Sequence, residues 1–156
     1  MKKIKNSVLV AIAALVLVIG IIFAAGCGGT KLSAGTYEGT YTCEYTVGET
    51  SKWGYTATIT VNDDNVIWDV QLVAPEGYTG GIGGRPWDLS KFTQQFCGLF
   101  TVDDVAKIKV NTNEAGYPVG PEYVESGKDV LLLNGFEAPC AIAILAMQNA
   151  INEALA

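Results

Sequence analysis

Four cysteines, no histidine and one glycine-rich stretch bound the chemistry open to this 156-residue chain. Without histidine there is no Ser-His-Asp triad, no Cys-His nucleophile pair and no His-ligated zinc or haem. Cys43, Cys97 and Cys140 have no CxxC spacing, so metal ribbons and thioredoxin-type centres are unsupported. The stretch from Gly77 to Gly84, followed by Arg85-Pro86-Trp87, has the composition of a phosphate-cradling loop. A P-loop needs Gly-Lys-Ser or Gly-Lys-Thr after its glycines, and a GxGxxG begun at Gly81 meets Pro86 where its last glycine belongs. The stretch is therefore read as a flexible surface loop, or as a ligand lid carrying Arg85 and Trp87. The remaining cluster is Asn134-Gly135-Phe136-Glu137, with Cys140 just beyond it. Backbone N–H groups at a helix start can hold an anion, and a thiol there tends to a lowered pKa. Trp68, Trp87 and Phe136 can offer an aromatic face to a ring, although the strand pattern places Trp68 in the core.

The other cysteine is placed differently. Cys27 closes the string Phe23-Ala24-Ala25-Gly26-Cys27, behind Lys2, Lys3, Lys5 and an uncharged run from Val8 to Ala25. A basic start, an apolar run and small residues form an export signal. The string resembles a bacterial lipobox, with Ala24 where leucine is commonest. That resemblance implies cleavage before Cys27 and acylation of its sulfur and new amino end. An uncleaved helix is the alternative, since eighteen residues span about 27 Å, nearly a bilayer core. Both place the rest of the chain outside the cytoplasm with the lysines inside.

Removing residues 1–26 leaves 130, enough for one domain. It also takes three of the ten basic residues and leaves seven against 16 acidic ones, a net charge of −9. Nucleic acid and anionic lipid are poor partners for such a surface. Outside the cytoplasm the three later cysteines allow at most one internal disulfide. Buried inert thiols and a Cys97–Cys140 bridge both remain open, because geometry decides and not sequence separation.

The elements that must position these groups are legible in outline. Residues 27–35 form a short tether. Tyr37, Tyr41, Cys43 and Tyr45 alternate with Thr36, Glu38, Thr40, Thr42 and Glu44 in a half-buried strand. Tyr55, Ala57, Ile59 and Val61 line a second strand, and Val66, Trp68, Val70 and Leu72 the inner face of a third. Asn62-Asp63-Asp64-Asn65 supplies the turn between them. Leu89, Phe92 and Phe96 recur at helical spacing, with Asp88 as N-cap and Gly98 as stop; Thr101 begins a second short helix. Ile108 and Val110 suggest a strand, residues 111–128 an irregular crossing, and Val130 to Leu133 a buried strand. A helix from Pro139 to Leu155 buries Ile144, Met147, Ile151 and Leu155. The fold class expected is α+β: an antiparallel sheet, short helices and a packed C-terminal amphipathic helix.

The strings Gly35-Thr36-Tyr37-Glu38-Gly39-Thr40-Tyr41 and Ile59-Thr60-Val61-Asn62-Asp63-Asp64-Asn65-Val66-Ile67-Trp68-Asp69-Val70 resemble the opening of exported FMN-binding domains. Such domains occur in sodium-translocating quinone reductases and in flavinylated lipoproteins. Phe92 to Leu99 resembles the family's segment before its short helix. Leu133 to Cys140 falls where the family has Ser-Gly-Ala-Thr-x-Thr-Ser. The resemblance implies an FMN-binding-like domain over residues 36–156, with Asn134, Gly135, Phe136, Glu137, Cys140 and Trp87 nearest any cofactor. In the family a threonine oxygen carries FMN as a phosphoester, and Glu137 stands on that position. A carboxylate cannot form the ester and repels a phosphate, at about 4 kcal/mol per unit-charge pair at about 4 Å and an effective dielectric of about 20. Any FMN would be noncovalent. The expectation is a membrane-anchored extracytoplasmic lipoprotein associated with flavin or electron transfer, a carrier or binding protein more than a stand-alone enzyme. Its partners would be membrane lipid through Cys27 and a membrane redox complex. The alternative is a degenerate binding or scaffold lipoprotein that has lost the cofactor.

Overall fold

The computed structural model describes residues 28–47, 49–79, 81–82, 85–86, 88–121, 128–131, 133 and 135–156. Residues 1–26, read above as an export signal, and Cys27, Trp87 and Asn134 lie outside the described residues.

Alternation of tyrosine and small residues with threonine produces two long strands, β1 (Gly35–Val47) and β2 (Glu49–Val61), followed by β3 (Ile67–Val73). They pair antiparallel in the order β1-β2-β3, the expected meander. Threonines face each other across the outer surface, with Thr40 and Thr56 hydroxyls 2.8 Å apart. Asn62 builds the turn to β3. Its Oδ1 accepts from the N–H groups of Asp64 and Val66, and Asn65 takes a φ of 63°, a conformation asparagine tolerates.

The inner face of β3 departs from simple alternation. Val61 opposes Ile67 while Thr60 opposes Asp69, so Trp68 is an extra residue on β3. This bulge shifts the phase by one. Ile67 and Val70 are buried, and Trp68 is 65% exposed rather than part of the core.

The glycine-rich stretch begins beside the sheet, where Thr79 bonds Lys52 and Gly54 of β2. It is not loop throughout: β4 (Gly81–Ile82) pairs with β5 (Arg85–Pro86). Helix α1 (Ser90–Gln94) follows; its N-cap is Leu89 and not the expected Asp88, whose Oδ1 instead accepts from the Ser90 N–H at 3.0 Å, and Gly98 ends the turn at a φ of +74°. Phe92, Phe96 and Phe100 stack edge to face beneath it. Helix α2 (Val102–Ala106) opens on a capping box in which Thr101 and Asp104 each bond the other's backbone N–H. The nearly buried Asp104 also pairs with Lys128, which reaches the Leu99 carbonyl as well.

Two expectations for the next segment fail. The crossing contains a hairpin of β6 (Val110–Thr112) and β7 (Pro118–Pro121), closed by Asn113, whose side chain accepts from Ala115 and Tyr117. Residues 128–131 are not a strand, and Leu131 is 70% exposed. The side-chain amide of Gln95 bonds both the N–H and the carbonyl of Leu131, standing in for a neighbouring strand.

The chain closes with α3 (Glu137–Leu155), packed on β1, β2 and β7. Its first half is buried nearly all round, from Pro139 through Ile144, whereas Leu155 is exposed. Pro139 sits in the first turn, where its missing N–H costs no helix bond. Two adjacent amides anchor the helix. Gln148 donates to the Val105 and Ile108 carbonyls, and Asn149 to the Thr40 carbonyl at 2.7 Å. The whole is α+β, with one core between the sheet, α1, α2 and α3. Among the described residues no helix is long and apolar enough to cross a membrane.

Candidate functional site

Gly135, Phe136, Glu137 and Cys140 meet at the start of α3. Gly135 adopts a φ of +80°, open to glycine without strain, and lets the chain turn into the helix. The Phe136 N–H donates to the Leu133 carbonyl, and the Cys140 N–H to the Phe136 carbonyl, the first bond of the helix. Phe136 is 37% exposed, so it covers this end without filling an interior space.

A carboxylate already stands at this turn. Glu137 Oε1 accepts from the Gly135 N–H at 3.0 Å. That bond, with one from its own N–H, holds the Glu137 carboxyl below the ordinary glutamate range. Glu137 thus places a carboxylate of the same chain in the first turn, at the positive end of the helix.

A depressed folded-state pKa gives stability that is present above the unfolded value and lost as pH falls through the folded one. Urea midpoints of the wild type should accordingly fall on acidification through the carboxylate range, below about pH 4.5. In Glu137→Gln that fall should be shallower. Parallel curves would show that the carboxylate adds nothing at this end.

Cys140 is fully buried, and burial pushes its thiol up despite its place at a helix start. The expectation of a lowered pKa fails because loss of solvent, with the Glu137 charge, outweighs the backbone hydrogen bond at Leu133 that favours the thiolate. Its neighbour is Tyr55, whose hydroxyl burial also pushes up, with the Cys140 charge adding to it.

The Cys97–Cys140 bridge is not formed; both residues carry free thiols. Cys97 lies beside Asp69 and the Val70 backbone, and its Sγ reaches the Thr93 carbonyl. Val70 pairs with Ile59, four residues along β2 from Tyr55, or about 13 Å. Cys97 and Cys140 thus sit against different parts of the sheet. Burial and the Asp69 charge push the Cys97 thiol up as well.

The site residues are therefore only partly brought together. Tyr55, which Cys140 faces, lies next to the β2 residues that bond Thr79, so the glycine-rich stretch leaves the sheet near the start of α3. Trp68 belongs elsewhere. It lines a shallow, open depression of about 260 Å³ with Thr60, Val61 and Asn62, by the turn into β3. Among the described residues no three His, Cys, Asp or Glu side chains cluster to hold a metal.

Sequence reasoning missed a polar construction at that same end of the sheet. Asn65 and Asp103 hold the residues after Cys27, through bonds to Thr30 and Leu32. The asparagine in the turn was the available signal, and only the fold shows what its side chain reaches.

No family model, no curated protein and no solved structure matches this chain.

Proposed function

We propose that this chain is an extracytoplasmic, lipid-anchored binding or scaffold module rather than a carrier of a redox cofactor. The single observation behind this reading is the bond from the Gly135 N–H to Glu137. A backbone donor beside the place where the resemblance would put an FMN phosphate is engaged by a side chain that repels phosphate. The burial of Cys140 agrees with it, since a raised, enclosed thiol is a poor nucleophile and a poor redox partner. The basic start, apolar run and lipobox-like Cys27 support the location, and the acidic composition disfavours nucleic acid as a partner.

The test is the whole chain, exported in bacteria that possess the flavin-attaching enzyme and purified in detergent without reductant. A colourless protein, whose intact mass is that of the processed and acylated chain, is expected. Cys140 should resist alkylation until denaturant is added. Visible flavin absorbance, or a mass increment of FMN, would overturn the reading and return the flavin-carrying one.

A further inference from the structure

The residues that follow Cys27 are fastened to the domain. The Thr30 N–H donates to Asp103 Oδ1 at 2.8 Å, and the Leu32 N–H to Asn65 Oδ1 at 2.9 Å. Asn65 Nδ2 in turn donates to the Thr30 carbonyl at 2.9 Å. The side chain of Leu32 packs against the core. A Cβ on Gly29 would come within 2.5 Å of the Asp103 carboxylate, so the chain passes closely here. The two gripping residues are themselves held, Asp103 by an ion pair with Lys107 at 2.7 Å. Asn65 accepts from the Val102 N–H through its carbonyl, and Val66 bridges to Thr101 at the start of α2.

Only Gly28 and Gly29 separate Cys27 from Thr30, three Cα–Cα steps with a reach of at most about 11 Å even when fully extended. A membrane anchor at Cys27 must therefore bring the bilayer close to this one end of the domain. At this end the molecule also exposes large apolar side chains. Trp68, displaced outward by the bulge, is 65% exposed beside Asn62, and Leu99 is 66% exposed. Leu99 lies between Gly98 and Phe100, the two residues whose backbones bond Ile67.

We propose that the domain rests on the membrane that anchors it, with Trp68 and Leu99 in the interfacial layer and the Asn65–Asp103 clamp fixing that orientation. The proposal rests on the lipid-anchored reading above, and it holds equally for an uncleaved apolar anchor. Tryptophan suits the headgroup boundary because one part of its ring system is apolar and its N–H remains near water. The lipid surface meant is a neutral one. Asp63 and Asp64 are exposed at the tip of the same turn and would be repelled by anionic headgroups within about 8 Å.

The test uses the full-length acylated chain reconstituted into neutral phosphatidylcholine vesicles whose acyl chains carry bromine, a short-range quencher of indole emission. Relative to unbrominated vesicles, the wild type should be quenched, and Trp68→Phe should lose about half or more of that quenching. Asn65→Gly keeps the left-handed backbone open while removing both side-chain bonds, and should reduce the quenching about twofold. Equal quenching in the wild type and Trp68→Phe would overturn the contact. Undiminished quenching in Asn65→Gly would overturn the role of the clamp. A chain that does not float with the vesicles at all would overturn the anchored reading, and this proposal with it. Flotation without quenching of Trp68 would overturn the proposal alone.

Discussion

Gly39→Ala should destabilise the domain by about 3 kcal/mol or more, a large share of the 5–15 kcal/mol that holds a typical domain together. The cause is a direct approach of two backbones. A Cβ on Gly39 would lie 2.0 Å from the Ala150 nitrogen and 2.5 Å from the Ala150 Cα. Neither atom belongs to a flexible side chain, so relief requires lifting α3 off β1. Such a shift would also pull Asn149 from the Thr40 carbonyl, one residue along the strand. Urea unfolding of the portion from Gly28 onward measures the effect. Gly120→Ala is the matched control, because a Cβ there meets only Glu137 Cβ at 3.9 Å, an ordinary contact. Equal midpoints for the two variants would mean that α3 can move away without loss.

Phe96→Ala should cost about 3–5 kcal/mol by the same measurement. Phe96 is fully buried and sits in the middle of an aromatic row, 5.3 Å from Phe92 and 4.9 Å from Phe100 between ring centroids. Removing it takes away the apolar burial and leaves both neighbouring rings facing a void that the surrounding helices can only partly close. The damage should spread along the backbone. Gly98 and Phe100 bond Ile67 of β3, and Phe100 lies under the Lys128 ammonium. Phe96→Leu retains most of the volume and should cost about 1.5 kcal/mol or less. If the alanine and leucine variants matched, packing of this row would not be what the core depends on.

The meander was legible because its inner residues keep a period of two along β1 and β2, and because Asn62 to Asn65 can form only a few kinds of turn. Trp68 was misplaced because a bulge changes the phase of a strand without changing its composition; two residues facing one is a property of the pair. The β7 strand was hidden by Pro118 and Pro121, which a single strand read alone treats as breakers. Asn113 and Gly116 carried the turn that could have revealed it. Val130 to Leu133 has strand composition, yet its observed partner at Leu131 is one glutamine side chain, which no periodicity can announce. At the candidate site, Glu137 was readable as an acid at a helix start, whereas its bond to Gly135 depends on the turn that only the backbone defines. At Cys140 two matters are separate, its place at a helix start and its burial. The sequence states the first, and the depth of the thiol decides the second.

The paired amides of Gln148 and Asn149 bear on how an alanine-rich helix knows where to stop. Ala141, Ala143, Ala146 and Ala150 are all fully buried and nearly interchangeable in shape, so sliding α3 by a residue would exchange one small contact for another. Those two side chains reach opposite ways, one to the carbonyls ending α2 and the other to the edge of β1. A shift along the axis or a turn about it breaks at least one set, and the molecule thereby tells apart arrangements that its smooth apolar contacts would leave almost equal in energy.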